Sequence, residues 1–117
     1  MSQHEDVVRL RHMLDHALEV AEMVQGKTRS DLDKDRQLNL AIVRLLEIVG
    51  EAASSVSNKT RHLHPSIPWQ EISGLRNRLV HGYDAVDFDI VWEIVQRDLP
   101  KLIADLLVML RAHNISV

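Results

Sequence analysis

From Val7 onward the apolar residues Val7, Leu10, Leu14, Ala17, Ala21 and Val24 recur every three or four positions. That is the spacing of one buried face of an amphipathic helix. Gly26 followed by Lys27 predicts its end, because glycine accepts the turn beyond a helix and a cation suits the C-terminal dipole. A polar link, KTRSDLDKDR, leads to a second long helix on which Leu38, Ile42, Leu45, Val49, Ala52 and Val56 repeat the spacing. The stretch SNKTRHLHPS ends it, with Pro65 and Pro68 bounding a turn. A third, shorter helix opens at Pro68, buries Ile72, Leu75 and Leu79, and stops at Gly82. Asp87 is placed to cap a fourth helix carrying Val91, Ile94 and Val95. Pro100 breaks that face, so a kink or restart is expected near Asp98. Leu102, Leu106 and Met109 then carry the pattern to about His113.

No segment alternates as a β-ladder would. The expectation is therefore an all-α fold, an antiparallel up-and-down bundle of four to five helices with residues 1–117 as one helical domain. The near-3.5 period of the two long helices predicts that they pack nearly antiparallel. Gly50 interrupts the second, at roughly 1 kcal/mol relative to alanine. With Ala52, Ala53, Ser54 and Ser55 beside it, Gly50 predicts the close approach of another backbone, either within the chain or across a dimer interface.

Composition narrows the function classes. The chain is 45% hydrophobic and 26% charged, ordinary for a soluble globular protein. No apolar run approaches the roughly 20 residues that span a bilayer. The N-terminal MSQHEDVVRLRHMLDH lacks the apolar core of a signal peptide, so a cytoplasmic location without membrane association is expected. The absence of cysteine removes disulfides, thiolate metal sites and cysteine nucleophiles together. A net charge of −3 argues against wrapping nucleic acid by bulk electrostatics. The four aromatic residues, Trp69, Tyr83, Phe88 and Trp92, are too few for a base-stacking platform. Contact with RNA would have to run mainly through phosphates.

Several polar groups carry little chemistry. His12 and His16 have the helical spacing of a metal chelate but lie opposite the apolar face with no third ligand evident. His62 and His64 flank Leu63 in a polar loop. Asp31, Asp33 and Asp35 alternate like the start of a calcium loop. Arg36 and Ile42, however, stand where that loop needs glycine and glutamate, so these acids are expected to cap or begin the second helix. Asn58-Lys59-Thr60 fits a glycosylation acceptor, which has no bearing without secretion. Arg44, Glu47 and Glu51 form a stripe along the second helix. It reads either as an exposed salt-bridged face or as the wall of a cleft that orients catalytic groups.

RNRLVHGYDAVD, from Arg76 to Asp87, is different. It gathers two arginines, a histidine and a tyrosine around one glycine. Arg76 and His81 are five residues apart, about 140° on an ideal helix, and converge only if the helix ends near His81. Arg76 and Tyr83 share a face only if the helix persists. Histidine moves protons near neutral pH, and arginine grips phosphate with a bidentate fork and stabilises developing charge. Together, without metal, the two could catalyse attack of a ribose 2′-hydroxyl on its adjacent phosphate. The alternative is a helix C-terminus carrying cations to suit its dipole.

At these residues the chain resembles the HEPN superfamily and, within it, the HepT-like toxins, whose signature is arginine, four residues, histidine, any residue, tyrosine. Arg76, His81 and Tyr83 match without a gap, and Asn77 is the polar residue favoured after the arginine. RLLEIVGEAAS (44–54), HPSIPWQEISGLRNRLVHGY (64–83) and VWEIVQRDLPKL (91–102) extend the resemblance over most of the chain. It implies a homodimer with two motif copies facing one cleft, and a metal-independent endoribonuclease without cofactor, acting on tRNA or mRNA. In that reading Arg76 and His81 are catalytic, Asn77 and Glu51 support or bind RNA, and no residue holds metal. It also implies a nucleotidyltransferase antitoxin partner of the MntA type that transfers AMP to Tyr83, where a charged, bulky adduct would repel RNA phosphates. Two other readings stand beside it: a non-catalytic helical module that docks a nucleotidyltransferase or a nucleotide, and a purely structural helical dimer.

Overall fold

A computed structural model describes residues 3–81 and 85–113. Two long helices, α1 (Gln3–Met23) and α3 (Arg36–Ser54), pack along each other, and α8 (Leu99–Ala112) lies against α1. Their facing sides supply the centre of the core. Leu10, Met13, Leu14, Ala17 and Val20 of α1, Ile42, Leu46 and Val49 of α3, and Leu106 and Leu110 of α8 are all essentially inaccessible. Full burial of each large aliphatic side chain contributes about 1.5–3 kcal/mol. The ends of the predicted α1 stripe, Val7, Ala21 and Val24, are only half-buried against this core. Gly26 has φ +73°, and Lys27 N–H donates to the Val24 carbonyl at 3.0 Å, the left-handed exit that ends α1.

The polar link is more ordered than its composition suggests. Residues Arg29–Lys34 form a short helix, α2, anchored by the buried Leu32. The Thr28 amide donates to Asp31 Oδ2 at 2.7 Å, and Asp35 caps α3 by accepting from the Leu38 amide at 3.1 Å. Two of the alternating acids, Asp31 and Asp35, are thus capping residues, while Asp33 pairs with Arg29 at 3.1 Å. Asn39, buried on α3, donates to the Leu32 carbonyl at 2.8 Å. Arg29 reaches Asp89 at 2.8 Å and lies over the Phe88 ring, which ties α2 to the later α7 (Phe88–Glu93).

The stretch after α3 is likewise helical, as α4 (Asn58–Leu63), with Ser57 as its N-cap. What holds it is a buried carboxylate from the far end of α1. Asp6 Oδ1 accepts from the Ser57 amide at 2.9 Å, and Oδ2 accepts from the hydroxyls of Ser57 and Thr60. Because Asp6 opens α1 and Ser57 follows α3, this contact also fixes the two long helices as antiparallel. Burial pushes the Asp6 carboxyl up. The hydroxyls of Ser57 and Thr60 and the Ser57 amide outweigh that and hold it below the usual carboxylate range.

The predicted third helix is two short ones, α5 (Trp69–Ser73) and α6 (Leu75–Leu79), separated at Gly74, with Pro68 at the cap of α5. It does not continue to Gly82. Val80 turns extended (φ −108°, ψ 120°), and Val80–His81 (β1) pairs antiparallel with Ala85–Val86 (β2), Val80 opposite Val86 and His81 opposite Ala85. Two-residue strands are too short to leave an alternating signature. Asp87 caps α7 as expected, accepting from the amides of Asp89 and Ile90 at 3.0 and 3.2 Å. The break expected near Asp98 is a π-turn, Ile94–Asp98, in which Leu99 N–H reaches back to the Ile94 carbonyl. Pro100 has no N–H, and its ring would crowd the carbonyl four residues earlier. One widened turn absorbs this without ending the helix. No helix among the described residues is long and apolar enough to cross a membrane.

Gly50 faces this second layer. A Cβ there would lie 2.9 Å from the Ile72 carbonyl oxygen and 3.5 Å from Leu75 Cβ, so the close approach foreseen for Gly50 is internal, between α3 and α5–α6. Gly50→Ala should therefore destabilise the fold by about 1–2 kcal/mol in chemical denaturation, because displacing backbone outweighs the gain in helix propensity. Asp6→Asn keeps the shape but leaves one acceptor oxygen in place of two, and should cost about 1–3 kcal/mol at neutral pH. A depressed carboxyl stabilises fully above the unfolded value near pH 4 and loses that contribution as pH falls through the lower folded value. Denaturation curves of wild type and Asp6→Asn should accordingly converge at acid pH.

Candidate functional site

The run from Arg76 begins on α6, which is held by its apolar side. Leu75 and Leu79 are buried, while Arg76 and Asn77 are exposed. The missing side chain at Gly50 lets this helix lie close to α3. The helix end is then fixed twice, by the β1–β2 pairing and by Asp87 N–H, which donates to the Leu79 carbonyl at 3.1 Å. Three of the motif's elements thus converge on the stretch between Leu79 and Asp87: the end of α6, the short ladder and the start of α7.

A groove of about 220 Å³ opens between α3 and α5–α6. Glu47, Gly50, Glu51 and Ser54 line it from α3, and Ser73, Arg76 and Asn77 line it from the other side. Arg76 Nε lies 3.8 Å from Glu47 Oε2, an ion pair rather than a hydrogen bond. The two partners differ in exposure: the Glu47 side chain is 20% exposed and that of Arg76 77%. Glu51 pairs with Arg44 Nη1, also at 3.8 Å, with both side chains largely in solvent. Ser73 Oγ is buried and has no hydrogen-bond partner among the described residues.

The groove therefore brings together Arg76, Asn77, Glu51 and Glu47. The Arg44-Glu47-Glu51 stripe divides between its two readings: Glu47 and Glu51 line the groove, whereas Arg44 and Glu51 form an exposed ion pair. His81 lies in β1, five residues beyond Arg76, and its side chain is outside what the structure describes. Tyr83, with Gly82 and Asp84, lies outside the described residues. Because α6 stops at Leu79, the helical condition under which Arg76 and Tyr83 would share a face is not met. The earlier stop does satisfy the other condition, that the helix end before His81. Ser73 was not singled out by the sequence, since a serine on a short helix carries no spacing signal of its own, and Ser54 was named only as a small neighbour of Gly50.

The remaining histidines sit elsewhere. His16 Nδ1 donates to the His12 carbonyl at 2.6 Å, with the two rings edge to face. His64 lies not with His62 but 5.8 Å, ring to ring, from His113 at the end of α8. Burial, and then the neighbouring His113, lower the His64 pKa. A separate, more apolar depression is floored by Leu46, Val49, Ile72 and Leu75, with Arg78 and Lys101 at its rim. It includes neither Arg76 nor Asn77. Arg78, on the same short helix, instead bridges to Asp98 of the π-turn at 3.4 Å.

The family model described as "Ribonuclease HepT-like" matches residues 13–109. A protein of Caldanaerobacter subterraneus subsp. tengcongensis described as a "putative RNase" is 39% identical over 93 residues, covering 80% of this chain and 83% of that one. A second protein with that description, from Methanocaldococcus jannaschii, is 34% identical over 102 residues, 87% of this chain and 94% of the relative. A "probable ribonuclease HepT" of Thermococcus cleftensis is 37% identical over 93 residues, 76% and 84% of the respective chains. No solved structure gives a significant match. The family match runs from α1 into α8 and takes in the whole Arg76-to-Asp87 stretch and both walls of the groove, so the chain belongs to the ribonuclease HepT-like family.

Proposed function

We propose that this chain is the toxin of a toxin–antitoxin pair, a metal-independent endoribonuclease that acts on tRNA or mRNA as a homodimer in the cytoplasm. The observation that supports it most is a juxtaposition: Arg76 and Asn77 of α6 line one groove, and the chain leaves that short helix directly into the strand bearing His81.

In this reading His81 removes the proton from a ribose 2′-hydroxyl, and the freed oxygen attacks the adjacent phosphorus. The bond from phosphorus to the 5′-oxygen breaks as that oxygen takes up a proton from a histidinium. The products are a 2′,3′-cyclic phosphate and a 5′-hydroxyl. Two motif copies facing one cleft supply two histidines for the two proton transfers. Arg76 holds the phosphate and offsets the charge that develops on its equatorial oxygens. Asn77 positions the RNA or these groups, and Glu51 supports the groove wall. No cofactor takes part. Tyr83 is the acceptor for AMP transferred by a nucleotidyltransferase antitoxin of the MntA type. The adduct would place phosphate charge where the RNA phosphate must come.

Protein expressed without a partner, with intact mass confirming an unmodified Tyr83, should cleave total RNA in EDTA and leave cyclic phosphate ends. His81→Ala and Arg76→Ala should each lower the rate by about 10²–10⁴-fold while leaving the oligomer intact. A folded, unmodified wild type that leaves tRNA and mRNA whole would make the chain a binding module instead.

A further inference from the structure

We infer that Glu47 is the positioning residue for Arg76, holding its guanidinium by the Nε side so that the terminal Nη edge is presented to a phosphate in the groove. The inference rests on the ribonuclease reading for the identity of the phosphate, though not for the contact itself.

Three observations carry it. Glu47 approaches Arg76 at Nε, whereas the neighbouring Arg44–Glu51 pair is made through Nη1. A guanidinium has two donor edges, and a carboxylate beside Nε leaves the edge formed by the two terminal nitrogens for a bidentate contact with phosphate. Second, Glu47 is the less exposed partner. It sits in the middle of α3 between the buried Leu46 and Val49 and is 20% exposed, against 68% for Glu51. An arginine that is 77% exposed samples many rotamers, and a fixed carboxylate at one end of its head group narrows them. Third, the 3.8 Å separation is too long for a hydrogen bond. The guanidinium can therefore move toward an incoming phosphate without breaking one.

The same carboxylate repels phosphate, and this separates positioning from mere structural support. Removing its charge should loosen the aim of Arg76 and at the same time make the groove more attractive to RNA. Glu47→Gln should therefore lower kcat by about 10- to 100-fold, the effect of misplacing a catalytic group by an ångström. KM, and the Kd for a non-cleavable 2′-O-methyl RNA of the same sequence, should fall by about threefold, the scale of one partly exposed charge. Glu93→Gln, which makes the same charge change outside the groove, should leave kcat as it is. In an Arg76→Gln background, Glu47→Gln should change neither kcat nor its response to pH any further.

The decisive experiment is this double-mutant cycle, run with both the cleavable RNA and the 2′-O-methyl analogue, with thermal unfolding confirming that each variant folds. A lowered kcat with unchanged or tighter analogue binding is the expected result, the loss in kcat being absent in the Arg76→Gln background. A parallel loss of kcat, analogue affinity and thermal stability would overturn the inference, as would an effect of Glu47→Gln on kcat that survives without Arg76. A wild type that cleaves no RNA would sink the ribonuclease reading. The analogue arm then decides alone: coupling between Glu47 and Arg76 in binding sustains the positioning role, and its absence ends it.

Discussion

The approach of α5–α6 to α3 at Gly50 governs the geometry of everything in the groove. Without a side chain at that position the carbonyls of Ile72 and Ser73 come within ordinary contact of the helix, and the short helix α6 follows them in. Leu75 and Leu79 then seat in the core, which leaves Arg76 and Asn77 on the outward side of α6 and facing the Glu47–Glu51 side of α3. The separation between the Arg76 guanidinium and the Glu47 carboxylate thus follows from a backbone packing distance set three residues from Glu47 and three to four residues from Arg76. Packed interiors are nearly incompressible, so a change at the glycine would be transmitted to the groove almost undiminished.

Around this contact the chain uses caps and one widened turn to bring irregular segments into register. Asp35 and Asp87 each start a helix within a residue of where a polar link ends. Asp6 satisfies the first turn of α4 from fifty-one positions away. The π-turn before Pro100 lets α7 and α8 continue as one path past a residue that would otherwise break it. These devices matter for the site because α7 leaves directly from the β1–β2 pairing. A helix that began elsewhere would not return the chain to the Leu79 carbonyl.

Much of this was legible in the sequence, and the divisions between legible and hidden are physical. The long helices were readable because their apolar residues recur over five or six turns, enough periods to define a face. Gly26, Gly50, Asp87 and the Asp98–Pro100 break were readable because each has a single steric or hydrogen-bonding reason to stand where it does. The short helices α2 and α4 were hidden because one buried residue each, Leu32 and Thr60, defines no period; what forms them is a cap and a distant partner. The β1–β2 pairing was hidden for the same reason, two residues per strand. In the groove, Arg76, Asn77 and Glu51 were named from motif and spacing. The pairing of Glu47 with Arg76 and the unpartnered Ser73 hydroxyl depend on how two helices cross, which no local pattern encodes.

The clamp between α2 and α7 has a further consequence. Arg29 meets Asp89 at 2.8 Å, but the Asp89 side chain is 84% exposed, and the only large apolar anchor beneath α2 is Leu32. Mobile ions screen exposed charges over about 8 Å at physiological ionic strength. Salt therefore weakens this clamp while leaving the aliphatic core untouched, and the Phe88 ring beneath the guanidinium becomes the larger share of what remains. The elements that loosen border the very segment that carries the motif. A rise in ionic strength thus slackens the scaffold from which α7 holds the far end of the Arg76-to-Asp87 stretch, while the aliphatic packing of the long helices is left as it is.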